Sequence, residues 1–526
     1  MKNFILNPKK LIPVLIVALF FGILVLAGFF IYKDYGVSSD EAISYLRGKL
    51  NYLVFRGGSL QEFDNSCANL VNENSCYYSS LYNMITYRLI PTGDSQTIFE
   101  SLHLIGFLSF VAAVFVFFFI GKKIFKNWII ALLGCLLLVI SPRIFGNAFY
   151  NPKDIPFMDA YIFAIFTMLL FLEKMNIFTA ILHGITTAIA CSIRVPGVII
   201  FPITFFFYFF DLFLAKKARK DYFEGLGLLF TSVVVALLLI YWFNPFLYGN
   251  PIANFIYAFN LMKAYPFLGG QLYMGRNIQY RIPWHYSLVW FSISSPPFYV
   301  ALFLLGSLTL LLRSLKSRLR QHFQSLRDLY LITACGVLPI LVVIVLKSLI
   351  YSDNRQMYFC YPALLLVSVS GLQFLIAKIR EINRHWQAWT AIILILGLIY
   401  PVYFMVQYHT RENVFFNFLA GSSMSVIASR FTMDRWALAS KDALEYILNT
   451  DPDPTIRIRA DSGVYQSNLI LPELQRSRLI LFEKGAAKYF MTNERYVPTD
   501  QNRGTVYYTV KVFDADILTV IRLDAK

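Results

Sequence analysis

Charged side chains interrupt the apolar runs of this sequence at only a few places, and those places hold the residue types that proton and phosphate chemistry require. SSDEAISYLRGK sets Asp40 and Glu41 side by side just after the first apolar run. SPRIFGNAFYNPKDIPFMDAY carries Arg143, Tyr150, Asn151, Lys153 and Asp154 between the third and fourth runs. CSIRVPG leaves Arg194 between two apolar segments, where a charge needs a partner or a task. GRNIQYRIPWHY holds Arg276, Arg281, Trp284, His285 and Tyr286, and YSDNRQMYF holds Asp353, Arg355 and Tyr358. A carboxylate beside an attacking hydroxyl takes up its proton, a contribution of about 10²–10⁴-fold. Arginine and lysine stabilise charge that develops on a departing phosphate, and arginine can hold it with two parallel bonds. Rings such as Trp284, Tyr286 and Tyr358 offer faces for a sugar.

Each of these residues also has a plain structural reading. SSDE resembles a helix N-cap with acids in the first turn. Arg143 and Lys153 could anchor helix ends to lipid phosphates, Arg355 could pair locally with Asp353, and the rings could form an interfacial belt. His103 and His285 read as satisfied interface histidines.

The elements that must position these groups are membrane helices. Hydrophobic residues make up 57% of the 526 and charged residues 15%, against about 45–50% and about 25% in a soluble domain. A span needs about 20 apolar residues. Eleven runs qualify, at 11–32, 102–121, 127–142, 156–172, 176–193, 196–214, 225–243, 286–312, 330–348, 358–377 and 387–405. The formal charge of +16 is gathered in short clusters between these runs, which the positive-inside rule assigns to the cytoplasm. That distribution argues against nucleic acid and for topology signals and anionic membrane lipids. With a cytoplasmic N-terminus every basic cluster falls inside. The outer segments are then 33–101, 143–155, 194–195, 244–285, 349–357 and 406–526. The first run lacks a small-residue cleavage site and reads as an uncleaved anchor.

Two domains follow: a membrane module over 1–405, with 33–101 as its first outer loop, and a mixed α/β tail over 406–526 outside the membrane. The tail shows Pro-Asp turns and alternating strands such as Thr505 to Val512. Cys67 and Cys76 share the first outer loop and suit a disulfide in an oxidising compartment. The other four cysteines lie in apolar helices. No zinc-type spacing, nucleophilic triad or Gly-rich phosphate loop is present.

SPRIFGNAFYNPKDIPF, RIPWHYSLVW, DNRQMYFCYPALLL, NVFFNFLAG and FTMDRW, in this order, resemble a bacterial branch of glycosyltransferase family 39. That family includes protein O-mannosyltransferases and the lipid A aminoarabinose transferase, and it has the C-type glycosyltransferase fold. The resemblance implies that Asp40, with Glu41 beside it, is the general base and that Asp154 is a second catalytic acid. It implies that basic residues near Arg194, Arg281 and Arg355 hold a polyprenyl phosphate; Arg143, Lys153 and Arg276 join them as candidates. Tyr150, Asn151, Trp284, His285 and Tyr286 are the candidate substrate-binding residues. The sequence departs from the family where it reads DRW instead of a DYW-like string, and NRQMYF instead of an Arg-His pair.

The expected activity is inverting transfer of one sugar, without a metal cofactor, from a polyprenyl-phosphate donor to a hydroxyl of an envelope glycan, lipid or protein. A divalent cation on Asp40, Asp154 and Asp159 is the alternative. The expected location is the bacterial inner membrane. A lipid-linked sugar flippase and a polysaccharide polymerase or ligase are the rival functions, with a non-catalytic scaffold behind them. Acids at outer helix ends, away from the bilayer midplane, favour the transferase over a carrier.

Overall fold

The computed structural model describes residues 8–61, 80–215, 219–263, 270–279, 281–316, 319–351, 353–461, 463–494, 499 and 503–524. Cys67 and Cys76, the expected disulfide, lie outside the described residues.

All eleven apolar runs are helical. Nine helices are long and apolar enough to span a membrane among the described residues, and a bent pair makes up to ten. They include α1 (Pro8–Ile31) and, continuing the numbering past α2 (Ser39–Phe55) and α3 (Ser80–Leu89) of the first loop, α4 (Ser95–Phe125). The bent pair is α5 (Trp128–Val139) and α6 (Pro142–Tyr150), which meet at 67°. Then come α7 (Asp154–Lys174), α8 (Ile177–Ile193), α9 (Ile200–Ala215) and α10 (Arg219–Phe243). The eleventh run is α8, apolar but only 17 residues long. After α11 (Pro251–Lys263) and a hairpin of β1 (Gln271–Tyr273) and β2 (Arg276–Ile278), the run expected at 286–312 divides. It forms α12 (Tyr286–Ser294) and α13 (Pro297–Lys316), broken where Pro296 and Pro297 remove successive backbone donors. Three helices, α14 (Leu319–Val345), α15 (Tyr361–Ile382) and α16 (Trp386–Gln407), complete the membrane part. The chain is a multi-pass membrane protein.

Among the described residues, the loops between spans carry helices that their polar sequences do not suggest. In the first, Gly48 of α2 meets the α3 backbone so closely that a Cβ there would lie 2.2 Å from the Asn83 carbonyl oxygen. The segment 143–155, expected as a loop, forms α6, all nine residues of which are buried. Gly106 of α4 makes room for it, since a Cβ there would stand 2.8 Å from the Ala148 carbonyl oxygen.

The tail carries a five-stranded sheet in the order β4-β3-β5-β7-β6, built from Ile456–Ala460 (β3), Leu479–Phe482 (β4), Tyr489–Thr492 (β5), Gly504–Val512 (β6) and Ala515–Leu523 (β7). β3 runs parallel to β4 and β5, whereas β7 is antiparallel to β5 and β6. The helix Ser440–Thr450 packs against this sheet. The expected α/β tail is thus a mixed sheet with helical cover.

Candidate active site

Four segments far apart in sequence converge where the first loop, α6 and the turn before α15 meet. Ser38 caps α2, so the first helical turn points Asp40 and Glu41 in different directions. Glu41 turns back to accept from the Ser38 backbone N–H (2.6 Å) and lies 3.0 Å from His103 Nε2. It is a buried capping-box acid held against α4. Burial raises its pKa, and the His103 contact only partly offsets this.

Asp40 faces the convergence. Its Oδ2 is 2.9 Å from Lys153 Nζ and 3.3 Å from Arg355 Nη1. Arg355 Nη1 also reaches Asp154 Oδ2 at 2.9 Å, and Arg194 pairs with Asp154 Oδ1. Asn151 fixes this acid: its Oδ1 accepts from the backbone N–H of Lys153 (3.1 Å) and Asp154 (2.8 Å), and its Nδ2 donates to Asp154 Oδ2 (3.2 Å). Burial alone would raise the pKa of Asp40, but Lys153 and Arg355 outweigh it and hold the carboxyl well below the usual range. Asp40 is therefore ionised at any physiological pH.

A second tier lies beside the first. Arg143 donates to the Phe415 carbonyl (2.9 Å) and to Asp353 Oδ2 (3.3 Å), with its guanidinium 4.4 Å from the Phe416 ring centroid. Asp353, in a left-handed backbone conformation (φ 64°), also accepts from the Arg355 backbone N–H at 2.6 Å. The local Asp353–Arg355 pairing is thus a backbone bond, and the Arg355 guanidinium is released toward Asp40 and Asp154. Burial raises the Asp353 pKa, with Arg143 and Arg355 opposing. Tyr286 supports this turn by donating to Gln271 Oε1 (2.8 Å) and lying 3.0 Å from the Asp353 carbonyl oxygen.

The structure brings Asp40, Arg143, Asn151, Lys153, Asp154, Arg194 and Arg355 together. Tyr150 is buried beside them, its carbonyl accepting from Ser38 Oγ (2.9 Å). It does not bring in Arg276, Arg281 or Trp284, which are exposed on and after the hairpin, nor His285, which bonds Tyr273 (2.8 Å). The alternative metal set is not assembled: cations occupy Asp40 and Asp154, while Asp159 accepts from Ser109 (2.7 Å) deeper in α7. Among the described residues no three His, Cys, Asp or Glu side chains are grouped to hold a metal ion.

Sequence reasoning missed what the tail contributes. Trp436 lies over the Arg355 guanidinium (4.8 Å) and edge-on to Tyr150 (5.8 Å). Buried Glu412 accepts from Tyr35 Oη (3.1 Å), tying the end of α1 to the segment after α16. The strings NVFFNFLAG and FTMDRW were the available signals: the first supplies the Phe415 carbonyl and Phe416 ring that hold Arg143, and the second keeps an arginine and a tryptophan together in an otherwise ordinary tail.

No protein-family model matches the chain, and no curated protein matches it. Solved structures do. AglB, an archaeal oligosaccharyltransferase from Archaeoglobus fulgidus in complex with an inhibitory peptide and a dolichol-phosphate, superposes with a TM-score of 0.50 at 12% identity, over 90% of this chain and 69% of that one. The apo oligosaccharyltransferase of Archaeoglobus fulgidus gives a TM-score of 0.47 at 14% identity over 84% of this chain, which spans only 60% of that protein's length. ArnT from Cupriavidus metallidurans bound to undecaprenyl phosphate gives 0.48 at 12% identity, over 96% of this chain and 97% of that one. The likeness to AglB shows the fold: this is a polytopic helical membrane protein with the C-type glycosyltransferase fold.

Proposed function

We propose that the chain is a membrane glycosyltransferase, of the family 39 type that its motifs resemble. It moves one sugar from a polyprenyl-phosphate donor to a hydroxyl on the outer side of the bacterial inner membrane. The observation that carries this reading is the placement of Asp40: one ionised carboxylate oxygen sits within 3.3 Å of both Lys153 and Arg355. A base and two phosphate ligands share one spot.

In the reaction, the acceptor oxygen attacks the anomeric carbon from the face opposite the phosphate. The new C–O bond forms as the bond to the phosphate oxygen breaks. That oxygen keeps the electron pair, facing Lys153 and Arg355, and the acceptor proton passes to Asp40. The anomeric configuration inverts. Asp154 is the positioning acid, because it clamps Arg194 and Arg355 while Asn151 holds it. We read the reaction as metal-free, since the two acids are already neutralised by lysine and arginine.

An apolar groove of about 210 Å³ runs between α12, α13, α14 and α15, lined by Phe291, Tyr299, Ile340, Tyr361 and Leu364. Tyr361, one of its lining residues, has its Oη 2.9 Å from Ser141 Oγ, the residue that opens α6, two positions before Arg143. We read this groove as the seat of the polyprenyl chain, the class of lipid to which the dolichol-phosphate in the AglB structure belongs; its apolar lining and its link to α6 through Tyr361 support that reading. The acceptor we favour is an envelope glycan, followed by a lipid or protein hydroxyl.

The test is transfer in membranes supplied with a panel of polyprenyl-phosphate sugars, read by mass spectrometry of envelope glycans. Asp40→Ala is expected to abolish transfer while donor binding persists. Near wild-type transfer by that variant would sink the mechanism.

A further inference from the structure

Five cations gather at the site (Arg143, Lys153, Arg194, Arg355 and Arg435), against three carboxylates: Asp154, which is buried, and Asp40 and Asp353, which are partly exposed. Four of the cations come from the membrane part. The fifth, Arg435, stands on the tail, in the segment between Phe431 and Trp436. That segment is firmly held. The Thr432 backbone N–H donates to the Leu272 carbonyl (3.2 Å) and Thr432 Oγ1 accepts from the Leu272 N–H (3.1 Å), pinning it to the hairpin. Asp434, buried beneath, accepts from Asn413 Nδ2 (2.9 Å) and from the Ala439 N–H (2.9 Å), and its carbonyl accepts from Asn493 Nδ2 (2.7 Å).

The segment closes over a polar void of about 20 Å³ that Arg435 and Trp436 share with Arg355, Asp353, Asn147 and Asn413. That is room for about one water. Two like-charged guanidiniums on one small void are unfavourable unless an anion lies between them, and Asp353 is the anion present. Arg435 lies within charge range of Arg355, Asp353 and the exposed Glu494. Arg143 reaches Asp353 from the other side at 3.3 Å. Asp353, on a φ 64° turn, thus stands between Arg143, with which it pairs, and a void that Arg355 and Arg435 line.

We propose that Asp353 holds the place of a phosphate, and that Arg435 is a phosphate ligand which the tail adds to the site, gripping the lipid-linked donor together with Arg355 and Arg143. This rests on the transferase reading above. A phosphate needs more room than one water, so its entry displaces the Asp353 carboxylate from Arg143 and opens the void. Trp436, 4.8 Å over Arg355, keeps that guanidinium aimed while this happens.

The experiment is binding of farnesyl phosphate, with farnesol as the uncharged control, to the full-length detergent-solubilised protein by calorimetry and thermal melting. The wild type is expected to bind farnesyl phosphate and to ignore farnesol. Arg435→Ala should weaken binding by about tenfold to a hundredfold, the scale of losing a charge-assisted hydrogen bond. Its ligand-free melting temperature should match that of Arg503→Ala, an exposed control on the tail sheet. Arg435→Lys, which keeps the charge without the fork, should recover part of the affinity. Asp353→Asn should bind farnesyl phosphate more tightly, because the competing anion is gone. If Arg435→Ala binds as tightly as wild type, Arg435 is not a ligand and the transferase reading stands. If wild type binds neither farnesyl phosphate nor inorganic phosphate, the site is not a phosphate site and both fall together.

Discussion

A carboxylate held by two cations is a poor base, and this defines the chemistry of Asp40. In the ligand-free protein Lys153 and Arg355 keep its pKa well below the usual range, although burial pulls the other way. A donor phosphate engages the same two cations, and each interaction they transfer to it returns basicity to Asp40. The pH profiles should show this. The kcat/KM profile reports the free enzyme and kcat the complex. The acid limb of kcat is therefore expected at higher pH than that of kcat/KM; coincident limbs would remove the argument. The same shift bears on stability. A depressed carboxyl stabilises the fold above its unfolded pKa of about 3.9, and that contribution disappears as pH falls through the folded value. Lowering the pH from 8 to 5 should thus cost nothing at Asp40. Lys153→Ala should cut kcat and weaken donor binding together, because it loses a phosphate ligand and leaves Asp40 short of a counter-charge. A change in KM alone would make Lys153 a mere anchor.

Short helices between the spans set the distances on which that chemistry depends. The spans were legible because each is a run of about 20 apolar residues, a signal that no neighbour can cancel. The buried helix α6 was not, because SPRIFGNAFYN mixes polar and apolar residues as a loop would. It is buried only because Gly106 and Gly146 let α4 and the Glu412 segment approach its backbone. The pairing of acids with cations was equally hidden: Arg355 meets Asp40 across 315 residues and Asp154 across 201, and no local pattern encodes such contacts. The acids and most of the cations could be named from sequence, but Glu41 could not be separated from Asp40, because adjacent positions on a helix diverge only once the cap is known. Gly48→Ala tests the placement. Its Cβ would press on the Asn83 backbone, so α2 must shift and carry Asp40 with it. A loss of about 1–3 kcal/mol is expected, seen as a lower melting temperature together with reduced kcat. Leu364→Trp, which fills the apolar groove, should raise KM for an undecaprenyl donor and leave a short-chain donor unaffected. Equal effects on both would move the polyprenyl chain elsewhere.

At the scale of the whole molecule, the tail is fastened to the membrane part by charge as well as by packing. His409 bridges Glu412 Oε1 (3.0 Å) and Asp34 Oδ2 (3.0 Å), and Lys441 Nζ donates to the Lys33 and Asp34 carbonyls (2.8 Å each). Burial disfavours protonated His409, but the hydrogen bonds and charges of Glu412 and Asp34 prevail and raise its pKa. A raised histidine stabilises the fold fully below its unfolded pKa of about 6.5, and the contribution is lost as pH rises through the folded value. Melting temperature should therefore decline from pH 6 upward in the wild type and less steeply in His409→Gln; parallel slopes would show that the latch is not titrating. Because the tail supplies Trp436 and Arg435 to the site, the side of the membrane on which it lies decides where transfer occurs. The basic segments, including Arg313 and Arg327, sit at the opposite ends of the helices from Asp40, and the cytoplasm retains such clusters. Alkaline phosphatase fused after Lys526 should be active in intact bacteria, whereas a fluorescent protein at that position should stay dark. The same reporters inserted between Leu315 and Arg327 should behave in the opposite way. A fluorescent C-terminal fusion would put Asp40, Lys153 and Arg355 in the cytoplasm, where the donor would have to be presented from the inner leaflet.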